Sequence, residues 1–167
     1  LDLLGVIKQQ ATSFKKTKKK TIITIGYNRD KAQQHIKVLN SIKLLPKDII
    51  KEIEIILPFT YGHIDTAYRN SIIKILEEIG AKYSFLDDFL PEKDLAIKRL
   101  ETDIMIQLQI TDQFSGSMQE HLYAENIVIT GSWLKYSDLI NEGCYYETIP
   151  STDDLTVKLT QVITNLK

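Results

Sequence analysis

The sequence predicts an α/β fold: a three-layer, doubly wound, mainly parallel sheet of six strands with helices on both faces. Three observations carry this. Six short apolar runs alternate with six stretches whose apolar residues recur at helical spacing. The connections are short, which in such an alternation favours parallel strands joined by right-handed crossovers. The polar, glycine-bearing loops follow the strands, on the rim where such sheets bind ligands.

Leu1–Gln10 is apolar at one end and fits a short helix or strand. Phe14–Lys20 holds five lysines and no acid. It reads as a solvated linker, or as a patch facing an anionic membrane or a charged substrate. Residues 1–20 are therefore expected to be connecting material and 21–167 the domain. The chain begins at Leu1 rather than Met, as a piece of a longer protein would.

The first strand is Thr21–Gly26, short and β-branched. After the turn Tyr27–Asp30, a helix is expected over Lys31–Leu45, with Ala32, Ile36, Leu39 and Ile42 inward and Pro46 as its stop. Glu52–Pro58 is the second strand. The loop Phe59–Asp65 leads to a helix over Thr66–Gly80, stopped by its glycine. Ala81–Leu86 is a strand, and Pro91–Leu100 a helix with proline in its first turn. Asp103–Leu108 (strand), Thr111–Ser117 (polar loop), Met118–Ala124 (helix) and Ile127–Thr130 (strand) form a β-loop-α-β unit around which the chain is organised. A helix over Ser132–Asn141, a strand over Tyr145–Ile149, and a final helix capped by Ser151-Thr152-Asp153 complete the chain. The last helix carries the stripe Leu155, Leu159, Val162 and Leu166.

The chain of 167 residues is 43% hydrophobic and 26% charged, enough for one domain with a real core. A net charge of −1 supplies no field for nucleic acid, so no nucleic-acid partner is expected. The one cysteine, Cys144, excludes a disulfide framework and reads as a small hydrophobe. No apolar run reaches the ~18 residues of a membrane span. There is no G-x-G-x-x-G after the first strand and no P-loop motif. His35, His63 and His121 share no ligand spacing, so no metal site is expected.

What remains is a rim of amides and hydroxyls. The loop Thr111–Ser117 offers Thr111, Gln113, Ser115, Ser117 and their N–H groups at a helix start, either as an anion site or simply as a well-capped helix. Arg29 could meet a phosphate or be solvated. His35 could be a satisfied core histidine or a ligand contact. Tyr61, with Gly62, could stack on a base or be a surface turn. Glu120 could accept from sugar hydroxyls or favour the helix dipole as a first-turn acid.

Three stretches carry a family resemblance: IGYNRDKAQQHI (Ile25–Ile36), IEIILPFTYG (Ile53–Gly62) with the following AYRNSIIKILEEIGAKY, and EKDLAIKRLETDIMIQLQITDQFSGSM (Glu92–Met118). They resemble the C-terminal half of GT-B glycosyltransferases, and within them the N-acetylfucosamine transferases of enterobacterial common antigen synthesis. The resemblance implies a Rossmann-like domain that binds a nucleotide-sugar donor. The diphosphate would lie near the Gly26–Asn28 turn and the Ser115–Met118 helix start, and no metal or other cofactor would be needed. An absent N-terminal half would hold a glycan or polyprenyl-linked acceptor. The family's central loop tends toward Gln-Gln-Gly-x-Gly, whereas this chain has Asp112-Gln113-Phe114-Ser115-Gly116-Ser117. The donor sugar is therefore not carried over.

The expected donor site comprises Gly26, Tyr27, Asn28, Arg29, Tyr61, Gly62, Gln113, Ser115, Gly116, Ser117, Met118 and Glu120, with the catalytic residues unassigned. The expected role is donor binding for a bacterial glycosyltransferase of surface polysaccharide or lipid-linked glycan assembly. The expected location is cytoplasmic, with peripheral attachment of the full-length protein to the inner face of the membrane. Two rivals stay open. A non-catalytic flavodoxin-like or receiver domain would need an acidic pair where Gly26-Tyr27-Asn28 stands. A sugar-nucleotide epimerase would need cleft carboxylates, for which Asp112 and Glu120 are available.

Overall fold

A computed structural model describes residues 2–17, 20–112, 115–136, 139 and 141–166. Its strands are β1 (Thr21–Ile25), β2 (Ile53–Pro58), β3 (Lys82–Leu86), β4 (Ile104–Gln107), β5 (Ile127–Gly131) and β6 (Glu147–Ile149). They form one sheet in the order β3-β2-β1-β4-β5-β6, and every pairing is parallel. All carboxyl ends therefore emerge on one rim. The order reverses between β1 and β4, where Ile23 pairs with Ile104 and Ile25 with Ile106.

The helices are α1 (Leu3–Ala11), α2 (His35–Lys43), α3 (Lys47–Lys51), α4 (Thr66–Ile79), α5 (Glu92–Glu101), α6 (Gly116–Tyr123) and α7 (Leu155–Asn165). The two-residue period of the strands assigns their side chains to two cores. Ile104, Ile106 and Ile129 join Val38, Leu39, Ile72, Leu76, Leu159 and Ile163 from α2, α4 and α7. Met105 and Val128 point the other way, onto Met118 of α6 with Leu134 and Tyr136. Burying each such side chain contributes about 1.5–3 kcal/mol, so a strand apolar on both faces is held only inside both layers.

Residues 1–20 carry α1, the helix of the two forms left open. It packs on α5 and α6, with Val6 and Ile7 buried against Ala96. Lys16 of the basic run donates to the Thr102 carbonyl at 3.0 Å and pairs with Asp103 at 3.0 Å.

Two expected helices are corrected. The helix from Lys31 is a 3-10 turn (Lys31–Gln33) followed by α2, broken by Gln34 at φ 58°. The β4 exit holds that break: Ile110 N–H donates to the Ala32 carbonyl at 2.9 Å, and the Gln34 amide donates to the Leu108 carbonyl. Pro46 ends α2 as expected, but then starts the one-turn helix α3. Of the helix expected over Ser132–Asn141, residues 132–134 form a turn closed by Leu134 N–H on the Gly131 carbonyl at 3.0 Å, while Leu139 and Asn141 are helical as expected. Positions 137, 138 and 140 of that expectation lie outside the described residues. The last strand is also shorter than expected, Glu147–Ile149.

Candidate functional site: a cleft at the strand-order reversal

The rim loops after β1, β2, β3 and β4 enclose a cleft of about 320 Å³. One wall is apolar and aromatic: Tyr27, Pro58, Tyr61, Leu86, Phe89 and Leu90. The other is polar: Arg99 from α5, and Gly116, Ser117 and Glu120 from α6. The bends at Tyr27 and at Gly116–Ser117 thus face one space, although Gly116 stands 89 positions after Tyr27 in sequence.

The β1 exit is tightly built. Gly26 takes φ +64° while its N–H donates to the Ile106 carbonyl at 2.9 Å, across the reversal point. A Cβ there would stand 2.8 Å from Gln33 Oε1 and 3.3 Å from His35 Nε2, so only glycine fits. Buried Asn28 accepts from Asp30 N–H at 2.9 Å, closing the turn. Burial first, and the charge of Asp112 second, push the Tyr27 phenol above its ordinary pKa.

The polar wall is set by a network at the foot of α6. Ser115 caps the helix, its Oγ accepting from Met118 N–H at 3.1 Å. The same hydroxyl donates to the fully buried Gln107 Oε1 at 3.2 Å. Asp112 Oδ2 accepts from Ser115 N–H at 3.0 Å and from the Tyr136 hydroxyl at 2.8 Å. Burial raises the Tyr136 pKa, so the phenol keeps the proton it donates. Ser117 Oγ is buried and has no hydrogen-bond partner among the described residues, beside amides at the start of an eight-residue helix. Glu120 Oε2 accepts from Arg99 Nε and Nη2, each at 2.9 Å.

The sequence-predicted site residues divide. Tyr27, Tyr61, Gly116, Ser117 and Glu120 line the cleft. Gly26, Asn28 and Ser115 shape its walls from behind, and Met118 is buried in the core beneath α6. Gly62, at φ +104° over Asp30, shapes the β2 loop. Arg29 lines a separate, smaller cavity with His63, Tyr68 and Arg69, where its Nε has no partner among the described residues. Gln113 lies outside the described residues. His35 is a core histidine: fully buried, 5.0 Å from the Phe59 ring, its Nδ1 3.2 Å from the Tyr68 hydroxyl. Among the described residues no three His, Cys, Asp or Glu side chains gather as a metal-ligand group.

Sequence reasoning missed Arg99 and Phe89. The signal for Arg99 was there: on α5 it follows Leu95 and Ala96 at i+4 and i+3, so an inward stripe ends in a charge that needs a carboxylate. Phe89 stacks on Tyr61, ring centroids 6.2 Å apart and planes 6° from parallel, yet is 77% exposed. At the far side of the rim, Trp133 of the turn after β5 donates its indole N–H to the Gln109 carbonyl at 2.9 Å, just past β4.

No protein-family model and no curated protein matches the chain. Solved structures do. The C-terminal domain of a group 1 family glycosyl transferase (LpcC) from Francisella tularensis is similar at 17% identity, over 93% of this chain and 81% of that one, with TM-score 0.66. The α,α-trehalose-phosphate synthase (UDP-forming) from Burkholderia vietnamiensis is similar at 7% identity, over 96% of this chain and 42% of that one, with TM-score 0.76. Anabaena Alr3699/HepE, solved in complex with UDP and glucose, is similar at 10% identity, over 99% of this chain and 43% of that one, with TM-score 0.72. At such identities the likeness is one of fold: the Rossmann-like C-terminal domain of GT-B glycosyltransferases. The chain spans about two-fifths of the length of the trehalose-phosphate synthases it matches.

Proposed function

We propose that this chain is the donor-binding domain of a glycosyltransferase and takes a nucleotide-sugar in the cleft at the strand-order reversal. The observation that carries the reading is the convergence of Tyr27, the Gly116–Ser117 amides and Glu120 on one space. A diphosphate would accept from the N–H groups that open α6 and from Ser117 Oγ, with the helix dipole favouring its charge. The apolar wall with Tyr61 and Phe89 suits a base, and Glu120 Oε1 suits a sugar hydroxyl. Stabilising the leaving diphosphate through fixed amides needs no cation, so the reaction is proposed to be metal-free.

The motifs that resemble the N-acetylfucosamine transferases narrow the proposal to surface polysaccharide or lipid-linked glycan assembly in a bacterium. There a second half would hold the acceptor, at the cytoplasmic face of the membrane. No described helix is long and apolar enough to cross a membrane. The epimerase alternative loses support, because Asp112 is held by Ser115 and Tyr136 and Glu120 by Arg99.

Calorimetric titration of the chain with UDP, GDP, dTDP and CDP tests the reading. Saturable binding of at least one is expected. A folded chain that binds none of them overturns the proposal. Transfer activity is expected only with the acceptor-binding half present.

A further inference from the structure

We infer that Arg99 is a positioning residue of the cleft: by neutralising Glu120 and fixing its carboxylate, it lets a diphosphate lie against the first turn of α6. This rests on the nucleotide-sugar reading above. Arg99 is 7% exposed, and both of its bonding nitrogens, Nε and Nη2, are spent on one oxygen of Glu120, Oε2, at 2.9 Å. The other oxygen, Oε1, stands 3.9 Å from the position a Cβ would take on Gly116. The Glu120 carboxylate therefore lies beside the first turn of α6, next to the place an anion would take. Unpaired, it would repel a diphosphate from the site that α6 offers, with little solvent to screen it.

The pair does more than tie α5 to α6. Those helices are already clamped by α1, through Val6, Ile7 and Ala96. Both side chains also line the cleft itself, together with Tyr61. Arg99 thus works at the ligand space through Glu120.

The test titrates the chain and its variants with UDP, GDP, dTDP and CDP. Arg99→Met is expected to weaken the diphosphate that wild type binds by roughly tenfold or more, because it leaves a part-buried carboxylate unpaired. Adding Glu120→Gln to that variant removes the repelling charge and is expected to recover most of the loss. A purely structural role, or direct contact of Arg99 with phosphate, would show no such recovery. Loss without recovery, or no loss in Arg99→Met, overturns the inference. Should Arg99→Met fail to fold, Arg99→Lys and the double variant each leave no unpaired charge at position 120. Both are then expected to bind nearly as wild type does, and a folded variant of either kind that does not bind overturns the inference. A wild-type chain that binds none of the four probes overturns the nucleotide reading and this one together. Binding by wild type with equal binding by Arg99→Met overturns the role of Arg99 alone.

Discussion

At the scale of single residues, His35 couples the stability of the fold to pH. Desolvation lowers its pKa from 6.5 to about 4, with smaller opposing contributions from the Asn28 backbone and Asp30. The unfolded chain therefore binds this proton at a higher pH than the folded one. Stability is complete above pH 6.5, falls as pH drops toward 4, and levels off below that. The His35 share amounts to about 3 kcal/mol. Buried His121, also lowered chiefly by desolvation, acts in the same direction. Urea unfolding at pH 7, 5.5 and 4.5 should show this decline, and a flat profile would contradict it. Burial of His35 was legible from its place on an inward helical stripe. Its seat against Gly26 was not, because it depends on the left-handed turn at Gln34, which no local signal marks: glutamine carries no preference for that conformation.

Among the elements, α6 has the most at stake in its first residue. The Ser115 hydroxyl caps the helix and bonds Gln107, while its backbone N–H donates to Asp112, so one residue joins helix, strand and loop. Ser115→Ala should cost about 1–2 kcal/mol in chemical denaturation and weaken nucleotide binding as the first turn frays. A loss below experimental error would show that the network is redundant. The cap itself could be read from the order Ser-Gly-Ser-Met before an amphipathic run. Its partner Gln107, and the Tyr136 that bonds Gln107 and Asp112 behind it, could not, since one comes from the preceding strand and the other from beyond β5. The same limit hid the partner of Arg99: spacing on α5 turns Arg99 inward, but nothing local says that a carboxylate 21 residues further on answers it. The helix expected over Ser132–Asn141 was placed too early: residues 132–134 lack any breaker, yet a backbone bond to Gly131 makes them a turn.

For the whole molecule, the sheet order sets the gradient of stability. β1 and β4 each have a neighbour on both sides, whereas β3 and β6 close the edges with one. Hydrogen exchange should be slowest at Ile23–Ile25 and Ile104–Ile106 and fastest at Lys82–Leu86 and Glu147–Ile149, and equal protection throughout would refute that picture. The doubly wound class was legible because central strands buried on both faces are apolar or β-branched nearly throughout, as TIITI and IMI are. The strand order was not legible, because no residue marks which strands become neighbours. One bond on the rim has a practical outcome. Trp133 is the chain's single indole, and it is fastened to the peptide just where β4 runs out toward the cleft. The protein thus carries its own optical reporter, so that the colour of its ultraviolet emission follows the polarity of the rim with no dye attached.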